Sequence, residues 1–113
     1  MSLLKPGNYQ VLVFEGESGE RPYLEWLYSL DLKTQERILG RVNRMARGQF
    51  GDFKALGKQL YELRLFFGPG YRIYFGEDRW KIILLITGGD KSTQRKDIAQ
   101  AKLYWNAYLE DNG

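Results

Sequence analysis

The chain has 113 residues, 43% hydrophobic and 27% charged, with 17 Lys and Arg against 14 Asp and Glu for a formal net charge of +3. That length suits one domain, residues 1–113, with one core, and no run approaches the roughly 18 apolar residues of a membrane span. With no His and no Cys, zinc sites of the usual types, Ser-His-Asp triads, Cys nucleophiles and disulfides are excluded, and the lack of a secretory segment points to a soluble, cytoplasmic protein.

Met1-Ser2-Leu3 fits an expression remnant and carries no argument. Tyr9 to Phe14 is a short β-type run that ends in the turn cluster Gly16, Ser18 and Gly19, and it predicts the first strand. Pro22 suits the first turn of a helix, and Tyr23, Leu27 and Leu30 recur at helical spacing, which predicts a helix from about Glu20 to Ser29. Asp31 is the expected N-cap of a second helix that runs to about Arg47 and stops at Gly48.

The second helix has two faces. At about 100° per residue, Ile38, Val42, Met45 and Ala46 cluster on one side, while Lys33, Arg37, Arg41, Arg44 and Arg47 fall within roughly 120° on the other. Such a cationic stripe is either a solvated surface or a set of phosphate contacts, and both readings stay open. Gln49 to Gly57 is expected to be a loop anchored by Phe50 or Phe53.

Leu60 to Phe67 and Tyr71 to Phe75 flank Gly68-Pro69-Gly70, which predicts an antiparallel hairpin with a three-residue loop. Phe67 should then face Tyr71, Leu65 face Ile73 and Arg64 face Tyr74. Leu63, Leu65, Phe67, Tyr71, Ile73 and Phe75 form an apolar side, and Glu62, Arg64, Phe66, Arg72 and Tyr74 an open, mostly polar one. Trp80 to Thr87 reads as a central strand fed by the turn Glu77-Asp78-Arg79 and closed by Gly88-Gly89-Asp90-Lys91. Ser92 or Thr93 then caps a last helix in which Ile98, Ala101, Trp105 and Tyr108 share a side. The expected fold is α+β, in the order β-α-α-β-β-β-α.

Glu62, Asp52 and Asp90 are scattered among basic residues, so no metal and no cofactor is expected. What remains is cationic and aromatic. Arg64, Arg72, Tyr74, Lys91 and either Lys54 or Lys81 can gather near one sheet face and its rim, where Arg grips phosphate and Tyr offers a ring for a base. Alternatively, Glu62 and Arg64 are ordinary solvent-face strand residues.

The motifs Tyr61-Glu62-Leu63-Arg64, Gly68-Pro69-Gly70-Tyr71-Arg72 and Gly88-Gly89-Asp90-Lys91-Ser92, with Phe50-Gly51-Asp52 and Leu56-Gly57 before them, resemble the phage-derived addiction-module killer proteins. These belong to the RelE/ParE toxin superfamily and are close to HigB-type toxins. The resemblance covers nearly the whole chain and implies a mainly antiparallel sheet with helices packed on one face.

The resemblance also implies a type II toxin, an mRNA interferase that cuts on the ribosome without a metal and is restrained by a helix-turn-helix antitoxin. Carried over by motif, Arg72 is similar to the strand arginine on the scissile phosphate, Arg64 to a catalytic lysine, and Lys91 to a basic residue at the end of the last strand. Arg37, Arg41, Arg44, Lys54 and Tyr74 are the expected RNA contacts. The C-terminal Tyr or His of such toxins would fall at about Asp97, which leaves the general base unassigned, with Glu62, Asp52 and Asp90 as candidates in kind. Relatives that inhibit DNA gyrase, or degenerate antitoxin-binding relatives, are the alternatives.

Overall fold

The computed structural model describes residue 4, residues 7–79 and residues 81–112. Two expectations, the Met1-Ser2-Leu3 remnant and a strand beginning at Trp80, lie outside the described residues. Strands β1 (Gln10–Val13), β2 (Phe53–Gly57), β3 (Leu60–Arg64), β4 (Arg72–Glu77) and β5 (Ile82–Gly89) form one sheet in the order β1-β5-β4-β3-β2. β1 runs parallel to β5, and the other neighbours are antiparallel, so the sheet is mixed.

Helices α1 (Pro22–Tyr28) and α2 (Leu32–Ala46) pack on one face. Asp31 starts α2 by accepting from the Thr34 N–H at 3.1 Å and the Thr34 hydroxyl at 2.7 Å. Gly48, at φ +84°, stops it by turning its own N–H to Met45 O and that of Gln49 to Arg44 O. Between these ends, Ile38, Val42 and Met45 are buried with Leu63, Leu65, Ile73, Phe75, Ile83 and Leu85. Each such side chain contributes on the order of 1.5 to 3 kcal/mol by leaving water.

Packing on one face holds for α1 and α2 only. Helix α3 (Gln94–Asn112) follows a 3-10 turn (Lys91–Thr93) and joins Ala101 and Trp105 to Phe14, Leu60, Tyr74, Leu84 and Ile86. Leu84 and Ile86 alternate with Ile83 and Leu85 along β5, so α3 covers the opposite face. Gly76 allows that approach, since a Cβ there would meet the Trp105 ring, as one on Gly88 would meet Trp26. Among the described residues, no helix is long and apolar enough to cross a membrane.

Two expectations are corrected. The predicted loop of Gln49 to Gly57 contains β2, which makes the order β-α-α-β-β-β-β-α. Its turn to β3 is Lys58-Gln59, both at positive φ (52° and 64°), a geometry usually carried by Gly, Asn or Asp. The β3–β4 register also differs: Arg64 faces Arg72, Leu63 faces Ile73 and Glu62 faces Tyr74. Leu65 N–H reaches Tyr71 O at 2.9 Å and Gly70 N–H reaches Phe67 O at 3.1 Å, so the loop runs from Phe66 to Gly70. The shift is two residues, which preserves the predicted faces because side chains alternate with period two.

Candidate nucleic-acid interface

The corrected register arranges the α3 side of the sheet in rows. Arg64, Arg72 and Gly89 face one another across β3, β4 and β5, and Lys54, Glu62, Tyr74 and Thr87 form the next row. A bulge between Tyr74 and Phe75 lets Thr87 and Gly89, rather than Ile86, complete these rows. Two arginines thus stand directly opposite each other, where like charges repel by about 0.2 to 1 kcal/mol unless something compensates them.

Glu62 supplies part of that compensation. It is fully buried and accepts from Arg64 Nε at 3.0 Å, from the Tyr74 hydroxyl at 3.0 Å and from Gln94 Nε2 at 2.8 Å. Burial pushes its carboxyl up, but the bonds from Gln94, Arg64 and Tyr74, with the charge of Arg64, outweigh that and hold it below its ordinary range. Burial and the adjacent Glu62 carboxylate push the Tyr74 phenol far up.

The expected open polar face is therefore partly roofed. Tyr74 is fully buried under α3, in one cluster with Ala101 and Trp105. Its ring has no face left for a base, and the expectation that it stacks one is corrected. It acts as a buried donor to Glu62, which in turn holds Arg64, itself about one-third exposed.

Arg72 bends back so that Nη1 donates to Gly70 O at 2.6 Å, while its buried Nε has no partner among the described residues. Lys91 is exposed at the start of the 3-10 turn, with its Cβ close to Gly70. Asp90 caps that turn by accepting from Ser92 N at 2.8 Å and Ser92 Oγ at 2.6 Å, and these bonds hold its carboxyl below the usual range. Asp97 is buried and accepts from Thr93 Oγ1 at 2.5 Å. The end of β5 and the start of α3 thereby lock around Arg64 and Arg72.

The arginines of α2 lie on the other side of the sheet. Arg37 sits over the Phe67 ring, 3.8 Å from its centroid, and Arg41 Nη2 donates to Phe50 O at 3.1 Å. Burial and the neighbouring Arg44 bring the Arg41 pKa down, against the opposing pull of Asp52. These three arginines and Leu65, Phe66 and Phe67 line a cavity of about 360 Å³.

Every one of these residues from Arg37 to Lys91 falls within residues 25–104, which match the family described as Phage derived protein Gp49-like (DUF891). The chain belongs to this Gp49-like family. It is also 44% identical over 79 residues to a protein of Haemophilus influenzae whose own description is "Uncharacterized protein", an alignment spanning 69% of this chain and 80% of that relative.

In this Gp49-like chain, the fold brings Arg64, Arg72 and Lys54 to one sheet face, with Lys91 just beyond the end of β5. Arg37, Arg41 and Arg44 form a second cationic site across the Phe66 to Gly70 loop. Gln94 was not singled out by sequence reasoning, since a Gln early in a helix carries no distinctive signal, whereas Ser92 or Thr93 was the expected cap and Asp90 caps the 3-10 turn instead. Phe66 was legible as the one large apolar residue on the polar side of the hairpin, and it is 82% exposed.

Proposed function

We propose that this Gp49-like chain is the toxin of a type II toxin–antitoxin module in the RelE/ParE superfamily, acting in the cytoplasm as a metal-independent, ribosome-dependent mRNA endonuclease. The observation that carries this reading is the Arg64–Arg72 pair, two arginines at paired positions of one ladder, with Lys91 beyond the adjacent strand end. In such a cut the RNA 2′-hydroxyl gives up its proton to solvent water and attacks the neighbouring phosphorus, forming a 2′,3′-cyclic phosphate as the bond to the 5′-oxygen breaks. Arg64 and Arg72 stabilise the extra negative charge of that transition state, and Lys91 protonates the leaving oxygen or grips the next phosphate.

The buried Glu62 orients Arg64, so that the guanidinium needs little reorganisation when charge develops. A helix-turn-helix antitoxin covers the cationic surface. The test is primer extension on mRNA from programmed ribosomes, with protein stripped by chelator and returned to magnesium buffer without transition metals. Cleavage that is lost on Arg72→Ala supports the reading, and intact mRNA with the wild-type protein removes it.

One observation favours a second reading. Glu62 accepts three hydrogen bonds and sits below its ordinary pKa, while Asp90 is occupied in capping, so neither is disposed to take the 2′-hydroxyl proton. This suits a toxin of the same fold that binds and inhibits DNA gyrase, or a degenerate antitoxin-binding relative. Accumulating DNA breaks with an intact RNA pool distinguish the gyrase form.

A further inference from the structure

The cavity between α2 and the Phe66 to Gly70 loop has the composition of a ligand site. Its volume of about 360 Å³ falls within the roughly 300 to 1,000 Å³ of small-ligand clefts. Three guanidiniums line it, whereas Glu36, the one carboxylate of α2, does not. The rings are of two kinds. Phe67 is packed against the core and already stacked under Arg37, and Phe66 stands 82% exposed at the mouth.

The local structure fixes these groups before any ligand arrives. Phe67 packs on Tyr71 (centroids 5.6 Å apart) and Tyr71 on Trp26 (6.1 Å), which ties the loop to α1. Arg41 is pinned to Phe50 O beside Arg44, so a partly desolvated cation is held next to a second, exposed one. An anion seated between them relieves that repulsion.

We propose that this cleft holds one nucleotide unit of single-stranded RNA, with its phosphate on Arg37, Arg41 and Arg44 and its base stacked on the exposed ring of Phe66. The inference rests on the nucleic-acid part of the proposed function and adds a second subsite to it. Guanidinium forks grip phosphate in two-point fashion, and ring stacking accepts any base. A carboxylate-bearing peptide would also satisfy the arginines, but it would leave Phe66 without a flat partner. The Phe66 to Gly70 loop joins the strands that carry Arg64 and Arg72, and its Phe66 and Phe67 also line the cleft of the α2 arginines.

The test is anisotropy titration of a fluorescein-labelled oligouridylate with the full chain, at several salt concentrations. Phe66→Ala is expected to weaken binding about tenfold, within the range of one base stack. Phe66→Tyr restores it and Phe66→Leu does not, while the salt slope stays the same in all three. Arg44→Gln lowers that slope by about 0.7. Wild-type affinity in Phe66→Ala, or binding of polyglutamate in preference to the oligouridylate, overturns the subsite. If the titrations behave as expected but ribosomal mRNA is never cut, the subsite stands and the endonuclease reading falls. If mRNA is cut while Phe66→Ala changes no affinity, the reverse holds.

Discussion

Glu62 and Arg64, two residues apart on β3, are joined by a 3.0 Å bond from Arg64 Nε to Glu62 Oε1, with the carboxylate fully buried and the guanidinium partly in solvent. An ion pair of this kind is an anchor. The buried partner is fixed by Tyr74 and Gln94, and the exposed partner keeps donors for something outside the protein.

The anchor should be visible in acid. Because the folded-state pKa of Glu62 is depressed, its stabilising contribution is present above the unfolded carboxylate value of about 4.3 and is lost as pH falls through the folded value. Urea unfolding from pH 7 down to pH 3 should show Glu62→Gln less stable at neutral pH by about 1 to 3 kcal/mol. The deficit should narrow as pH falls below the unfolded carboxylate value of about 4.3, because the unfolded wild type then takes up a proton that the folded carboxylate resists. A constant deficit across that range would mean that the charge contributes nothing. At the alkaline end, Tyr23, pushed up to about 12 mainly by burial, gives stability below about pH 10 that is lost as pH rises toward its folded value.

Glycine substitutions test the two-sided packing. Gly76→Ala places a methyl against the Trp105 ring and should cost about 1 to 3 kcal/mol. Gly40→Ala, inside α2 with nothing within 4 Å of the new methyl, should instead stabilise by about 0.5 to 1 kcal/mol. Thermal melts of the two variants should therefore move in opposite directions. Equal shifts would contradict the placement of α3 over β4.

The stripe on α2 is not uniform. Arg44 is exposed, whereas Arg37 stacks on Phe67 and Arg41 bonds Phe50 O. Arg44→Gln should leave the melting temperature unchanged, and Arg41→Gln should lower stability by about 0.5 to 1.5 kcal/mol through the lost hydrogen bond. Thermal melts that fail to separate the two variants would return Arg41 to a solvated role.

Much of this arrangement was legible in the sequence. The faces of the hairpin, the cap at Asp31, the stop at Gly48 and the two sides of α2 follow from local periodicity and cap chemistry, and the fold keeps them. The β3–β4 register did not follow, because Gly68-Pro69-Gly70 marks a turn without fixing its length, and a two-residue shift keeps every side chain on its predicted face. Strand β2 was hidden because four of its five residues are exposed and its turn lacks Gly. The roof over Tyr74 is a tertiary fact. An alternating Glu-x-Arg strand reads as a solvent face until α3 is known to lie on it.

The opposed arginines make the sharpest demand. Removing Arg72 relieves a like-charge contact, so Arg72→Ala should leave stability within about 1 kcal/mol of the wild type, whereas Arg64→Ala also strips the buried Glu62 of its ionic partner and should cost about 1 to 3 kcal/mol. If they hold the scissile phosphate, cleavage on the ribosome should fall about 10²- to 10³-fold in each. Lys91→Ala should lose less if Lys91 only binds phosphate, and at least as much if it is the acid.

The most direct measurement is single-turnover cleavage of mRNA on programmed ribosomes by metal-stripped wild type, Arg64→Ala and Arg72→Ala, with folding checked by thermal melts. The account predicts a defined cut by the wild type and a loss of about 10²-fold or more in each folded variant. Full-length mRNA after incubation with folded wild-type protein, or undiminished cutting by Arg72→Ala, would contradict it.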